Sequence, residues 1–267
     1  MIFRSPYPDV EVPDVSLPHY VLDGAAARGD HPALIDGPSG RTITYAQLPA
    51  LARRVAAGLA ARGVRRGDVL AVHAPNVPEY AVVVHAAGLL GVAVTTVNPL
   101  YTAGEIAAQL ADAGARTLLP VPPLLATARE AAAAAGVPDL VVLGDAPAEG
   151  GATPFAALLA HGDAVPAAGV APAEDVMFLP YSSGTTGGPK GVLLTHRNVV
   201  ANVAQVTAHA DLLAPTDVVI AVLPFFHIYG LVPIMHGALR MGATLVTLPR
   251  FELEGFLATI ERYRATV

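Results

Sequence analysis

Apolar and polar positions follow two rhythms along this chain. In "TITYAQLPALARRVAAGLAARG", residues 42–63, Leu48, Leu51, Val55 and Leu59 recur at helical spacing, while Arg53, Arg54 and Arg62 fall off that stripe. The spacing predicts an amphipathic helix with Gly63 at its C-terminal cap. "DVLAVH" (68–73) is a short apolar run that reads as a strand. The longer run over 78–97 reads as a buried helix from Pro78 to Leu90 and a buried strand from Ala93 to Val97. "TAGE" (102–105) has capping-box spacing and opens a helix to Ala113. "RTLLP" predicts a strand, Pro122–Ala135 a helix and "DLVVLG" (139–144) a strand. Strands alternating with helices imply an α/β protein, a largely parallel sheet covered on both faces.

Residues 144–173 are rich in Gly, Ala and Pro, which predicts a surface connection and a weak subdomain boundary, with one short helix over Phe155–Leu159. Beyond it the rhythm resumes. Strands are expected in "VMFLPYSSG" (176–184), "GVLLTH" (191–196), "VVIAVL" (218–223) and "ATLVTL" (243–248). Helices are expected over Asn198–Ala210, Leu231–Met241 and Leu253–Arg264, with Thr195–His196–Arg197 capping the first of them.

Composition narrows the classes. Apolar residues make up 53% of the 267 and charged ones 14%, the mark of a globular chain with extensive buried surface. A formal charge of -6 carries no basic footprint, so no nucleic-acid partner is expected. With no Cys there is no disulfide, thiolate metal site or Cys nucleophile. The most apolar stretch, residues 80–97, contains His85, Gly88 and Gly91. It is shorter than the roughly 20 residues that span a bilayer. The N-terminus has prolines at 6, 8, 13 and 18 and no long apolar core. A cytoplasmic protein without a membrane partner is the expectation. His73, His85, His209 and His236 are scattered without metal-ligand spacing.

The candidate chemistry lies in "YSSGTTGGPKG", residues 181–191. Its glycines let successive N–H groups converge into a concave nest. Ser182, Ser183, Thr185 and Thr186 add hydroxyl donors, and Lys190, the single lysine of the chain, adds a point charge suited to phosphate. A plain Gly/Ser turn is the alternative, but the flanking apolar strands argue against a loose linker. The Walker loop does not fit: Pro189 stands where it needs Gly, and Gly191 where it needs a hydroxyl.

The longer stretch "YSSGTTGGPKGVLLTHRN" resembles the phosphate-loop signature of the adenylate-forming superfamily, which includes acyl-CoA synthetases, adenylation domains of peptide synthetases and beetle luciferases. "ITYAQL" (43–48), "VNPLYTAGEIAAQLADAGA" (97–115) and "LPFFHIYGL" (223–231) fall in the family's order. The opening "FRSPYPDVEVPDVSLPHYV" and "FFHIYGL" are similar to 4-coumarate–CoA ligases in particular. The resemblance implies the large N-terminal domain of the adenylate-forming fold, with layered parallel-type sheets and helices on both faces. Approximate subdomains would be 1–66 plus 212–267, and 67–211.

It also implies a two-step reaction: a carboxylic acid, 4-coumarate or a related aryl acid, is activated by ATP to an acyl-adenylate and then passed to CoA as a thioester. By the same resemblance, Ser182, Ser183, Gly184, Thr185, Thr186, Gly187 and Lys190 would hold the ATP phosphates, with Thr186 reaching Mg²⁺ through ATP. His227 and Tyr229 match the acyl-site motif, and His227 is the catalytic candidate. Arg250 falls where the plant enzymes carry a Lys associated with CoA. Taken alone, His227 reads equally as a core histidine, Tyr229 as a core aromatic and Arg250 as a solvated charge.

Members of that superfamily run longer. No "YGxTE" or "TGD" motif follows "IERYRATV", so the expectation is an N-terminal portion, truncated before the domain is complete, without the C-terminal domain and inactive alone. "RATV" reads as the start of a strand, which would leave an open sheet edge. The alternatives are a stand-alone nucleotide-binding module that does no ligase chemistry, and a portion of a fatty acyl-CoA synthetase.

Overall fold

The computed structural model describes residues 7–144, 151–182, 188–208 and 212–267. A short helix α1 (Leu17–Leu22) leads to β1 (Pro32–Asp36) and β2 (Thr42–Thr44), none of which the periodicity announced. The helix α2 (Gln47–Ala61) buries Leu48, Val55 and Leu59 and half-buries Leu51, while its arginines face out. β3 (Val69–His73), α3 (Pro78–Leu89), β4 (Ala93–Val97), α4 (Ala103–Ala113), β5 (Ala115–Pro120), α5 (Leu125–Ala135) and β6 (Asp139–Val142) follow. The capping box at α4 forms as expected: the Thr102 hydroxyl accepts from the Glu105 N–H, and the Glu105 carboxylate accepts from the Thr102 N–H.

Residues 151–173 are more than a surface connection. β7 (Thr153–Pro154) adds to the sheet beside β6, and α6 (Phe155–Leu159) buries Phe155 and Leu158 against α2. The strand expected over 176–184 breaks at Pro180 into β8 (Val176–Phe178) and β9 (Tyr181–Ser182). The one expected over 191–196 divides into β10 (Lys190–Gly191) and β11 (Leu194–Thr195). The two segments stay antiparallel partners throughout; what ends near Pro180 is the pairing of β8 with β4. β8 and β11 belong to the main sheet, whereas β9 and β10 pair only with each other, as an antiparallel ribbon. α7 (His196–Thr207) starts at His196 behind a Thr195–Asn198 capping box.

β12 (Val218–Ala221) precedes a helix that differs from the expected one. Residues Gly230–His236 form a π-helix, with Pro233 inside it and no N–H to give to an α-helical ladder, before α8 (Gly237–Met241) restores the regular turn. β13 (Thr244–Thr247) and α9 (Leu253–Tyr263) end the described elements.

Seven strands form one sheet in the order β11-β8-β4-β3-β5-β6-β7, parallel except for β11. Four form the second, β12-β13-β1-β2, with only β2 antiparallel. The α3 helix lies between them and packs on α2, β4 and β1. That position explains its sequence: Tyr80, Val82, Val84 and Ala86 are buried on every side, and a helix apolar all round needs cover all round. α4 and α5 cover the far face of the larger sheet through Ile106, Leu110, Ala128 and Ala131. On the second sheet, Val267 runs along β12 in the parallel sense, its N–H donating to Val218 O and its carbonyl accepting from Ile220 N–H.

Candidate functional site

A cavity of about 340 Å³ opens where β4 and β8 end and the segment after β12 crosses over them. Open α/β sheets place their ligands beyond the carboxyl ends of strands. Tyr101, Gln109, Tyr181, Ser182, Phe226 and His227 are among its lining residues. The structure thus brings together Ser182 and His227, which lie 45 positions apart in the chain.

The His227 wall is built from below. Asn76, 2% exposed, follows β3 and donates through Nδ2 to the carbonyls of Ala221 and Leu223, both at 2.9 Å. Its Oδ1 accepts the Phe225 N–H at 2.7 Å. The Thr96 hydroxyl at the end of β4 donates to the Phe226 carbonyl at 2.7 Å. These bonds satisfy backbone groups that a buried loop would otherwise leave unpaired. They press Phe225 into the core, edge-on to Tyr80 with centroids 5.7 Å apart. His227 Nδ1 accepts the Tyr229 N–H at 3.2 Å, so the neutral ring carries its hydrogen on Nε2.

The opposite wall is the β9–β10 ribbon, in which Ser182 faces Lys190 across the strands. Both side chains are exposed. Beneath the ribbon the Tyr181 hydroxyl donates to Asp112 on α4. Burial first, and then that carboxylate, push the phenol well above its usual range, so it stays a donor. Ser183, Gly184, Thr185, Thr186 and Gly187 lie outside the described residues.

Tyr229 turns away from this cavity. It lines a neighbouring one of about 330 Å³ with Asn198, Asn202, Val232 and Pro233, and Ile228 lines both. Arg250 follows β13 and makes an exposed ion pair with Glu252 at 2.8 Å; it lines neither cavity. Among the described residues no group of three His, Asp or Glu is placed to hold a metal ion.

Asn76, Thr96, Gln109 and Asp112 escaped the sequence reading. Their one signal was a polar residue in or just after an apolar run, and that does not disclose the partner. The same holds for His85 and His236, buried with ring centroids 5.1 Å apart. Burial drives both below the ordinary imidazole range, to about 4 and about 3, and for His236 the neighbouring His85 adds to it.

The fold is that of known enzymes. Over 99% of its length the chain superposes on a long-chain-fatty-acid–CoA ligase of Archaeoglobus fulgidus, with a TM-score of 0.87, 26% identity and 53% of that chain covered. A red-emitting luciferase of Phrixothrix hirtus shares the fold at a TM-score of 0.86 and 22% identity, over 98% of this chain and 66% of that one. The AMP-binding enzyme family matches residues 22–267, and the chain belongs to that family. It is 41% identical to 4-coumarate–CoA ligase 5 of Oryza sativa subsp. japonica and 40% identical to a 4-coumarate–CoA ligase of Pinus taeda, in each case over 100% of its length. The chain spans about half the length of these curated relatives, 49% and 50%. No helix among the described residues is long and apolar enough to cross a membrane.

Proposed function

We propose that this chain is the N-terminal part of an ATP-dependent acid–CoA ligase whose acid is 4-coumarate or a related aryl acid. The observation that carries the proposal is the cavity where Ser182 and His227 stand among Tyr101, Tyr181 and Phe226. Flat aromatic walls suit an aryl ring, and such contacts contribute about 0.5–1.5 kcal/mol beyond area burial. The identity to 4-coumarate–CoA ligases supports the same acid class.

In the reaction a carboxylate oxygen bonds to the α-phosphorus of ATP as pyrophosphate leaves, and the CoA thiol then displaces AMP from the acyl carbon. Catalysis of this kind is mainly charge management. Ser182 and Lys190, with Ser183 to Gly187 between them, would hold the phosphates. His227 would offer Nε2–H to the carboxylate or adenylate oxygen, since its Nδ1 is engaged by Tyr229 N–H. Tyr229 would act from the adjoining cavity, on the far end of the acid. Arg250 enters as a CoA contact on its sequence position alone. Mg²⁺ would enter bound to ATP, and Thr186 would reach it through ATP. The two sheets support subdomains of 1–66 plus 212–267, and 67–211.

One observation favours a second acid: the 26% identity to the archaeal long-chain-fatty-acid–CoA ligase. Joining this chain to the C-terminal half of the rice relative and supplying ATP, Mg²⁺, CoA and an acid panel decides between them. The expected product is 4-coumaroyl-CoA, with kcat/KM above that for a long-chain fatty acid. A preference for the fatty acid, or thioester from neither, refutes the aryl assignment.

A further inference from the structure

The ribbon carrying Ser182 and Lys190 continues the antiparallel β8–β11 pair, with the Val192 N–H donating to the Pro180 carbonyl at 2.9 Å, but among the described residues it has no further partner strand beyond Pro180, so its height over the cavity is left to side-chain contacts. We infer that the Tyr181–Asp112 pair is a strut that positions the ribbon, and that α4 is the member holding both walls of the site in register.

Three observations meet at Tyr181. Its hydroxyl donates to Asp112 on α4. Its ring lies against Gly191, its cross-strand partner: a Cβ there would stand 3.2 Å from Tyr181 Cζ and 3.3 Å from its oxygen. A side chain at 191 would press on the phenol and on Leu179, and one of them would have to give by a few tenths of an ångström. Tyr181 is also a wall shared by two cavities, the 340 Å³ one with Ser182 and His227 and another of about 320 Å³ with Pro189 and Asp112. It seats the ribbon on α4 and partitions the space beneath it.

The path continues through α4. Gln109, one turn before Asp112 and 5% exposed, donates through Nε2 to the Thr95 hydroxyl at 2.8 Å and the Thr96 carbonyl at 3.1 Å. Thr96 in turn donates to Phe226. One helix turn therefore reaches the ribbon through Asp112 and the His227 segment through Gln109 and β4. Tyr181 and Asp112 are positioning residues in this scheme. They act on Lys190 and Ser182, and the purpose assigned to them rests on the phosphate-holding reading above.

The single lysine makes a test possible, because a lysine-specific endoprotease has one target in the chain, the bond after Lys190. Cleavage of the whole chain without ligand reports how firmly the ribbon is seated. Tyr181→Phe keeps the ring over Gly191, and Asp112→Ala changes an exposed helix position, so both variants keep the fold and its urea midpoint. Each is expected to speed cleavage about threefold to tenfold, the factor one net hydrogen bond supplies. The double variant is expected to be no faster than either single one, and Asp112→Asn, which retains a neutral acceptor, to recover part of the loss. The Kd for ATP, by calorimetry, is expected to weaken by a similar factor. Wild-type cleavage rates in both single variants, or additive effects in the double, overturn the strut. Faster, non-additive cleavage in a chain that ATP does not protect supports the strut and overturns the phosphate reading instead.

Discussion

The segment 222–229 and the β9–β10 ribbon face each other across one cavity, yet they are secured by different physics. The first is bolted to the core by Asn76 and Thr96, whose bonds are buried or part-buried, and is continued by a π-helix whose Gly230 approaches the loop so closely that a Cβ would lie 2.3 Å from the Pro224 carbonyl. The second is a two-residue antiparallel pairing with exposed Ser182 and Lys190, seated on α4 through a phenol–carboxylate bond. Buried bonds in low dielectric are costly to break and fix a geometry; exposed ones exchange with water at little cost. The rigid wall carries the ring that would face the reacting carboxylate. The yielding wall carries the charge that would gather phosphates. On the proposed reading, precision would fall where bonds change, and compliance where a large polyanion would enter.

Acid should break the rigid wall most severely. His236 closes the π-helix that continues the His227 segment, with its Nδ1 bonded to the Leu231 carbonyl at 2.6 Å, and packs on His85 of α3. Their folded values, about 3 and about 4, lie below the unfolded value near 6.5, so between these limits the unfolded chain binds more protons. Stability is therefore unaffected by these groups above pH 6.5 and is lost as pH falls towards 4. Each contributes about 3 kcal/mol of loss by then, together comparable to the stability of a whole domain. Urea midpoints measured from pH 7 to 4 should fall steeply, and His85→Leu should flatten the slope. An unchanged slope would remove these histidines from the account.

The next effect attacks the bolt. Asn76→Ala removes one partner from each of two carbonyls and from the buried Phe225 N–H, and should cost about 2–4 kcal/mol in urea unfolding. In the chimera it should also lower kcat more than it raises the ATP KM. An equal loss in both would show that the two walls are not separately held.

On the yielding wall, Lys190→Ala should leave the urea midpoint within error and weaken ATP binding about tenfold to a hundredfold by calorimetry. Equal affinity in the two proteins would remove Lys190 from the site.

The smallest effect sharpens the boundary between the cavities. Tyr229→Ala in the chimera should reduce kcat/KM for 4-coumarate relative to a short aliphatic acid by about twofold to tenfold. An unchanged ratio would make Tyr229 packing alone and confine the acid to the cavity with His227.

Much of this protein was legible in its residues because the signals are local. The stripe of α2, the Thr102–Glu105 box and the runs that became β3 to β6 depend on neighbours within a turn or a strand, so spacing suffices to read them. The glycine, hydroxyl and lysine content of 181–191 pointed to an anion for the same reason. β1 stayed hidden because "PALID" holds only three apolar residues between a Pro and an Asp and gains its stability from a parallel partner more than two hundred residues away, with Leu34 beside Leu245. The π-helix was hidden because 3.6-residue spacing cannot show where Pro233 will widen a turn. Which wall each site residue joins was decided by tertiary structure alone. That His227 reaches the cavity of Ser182 while Tyr229 enters the next, that Tyr181 meets Asp112, and that Asn76 holds Phe225 are hydrogen bonds and contacts between distant segments. A side chain declares its chemistry by its type, but its partner is chosen by the packing that brings the two together.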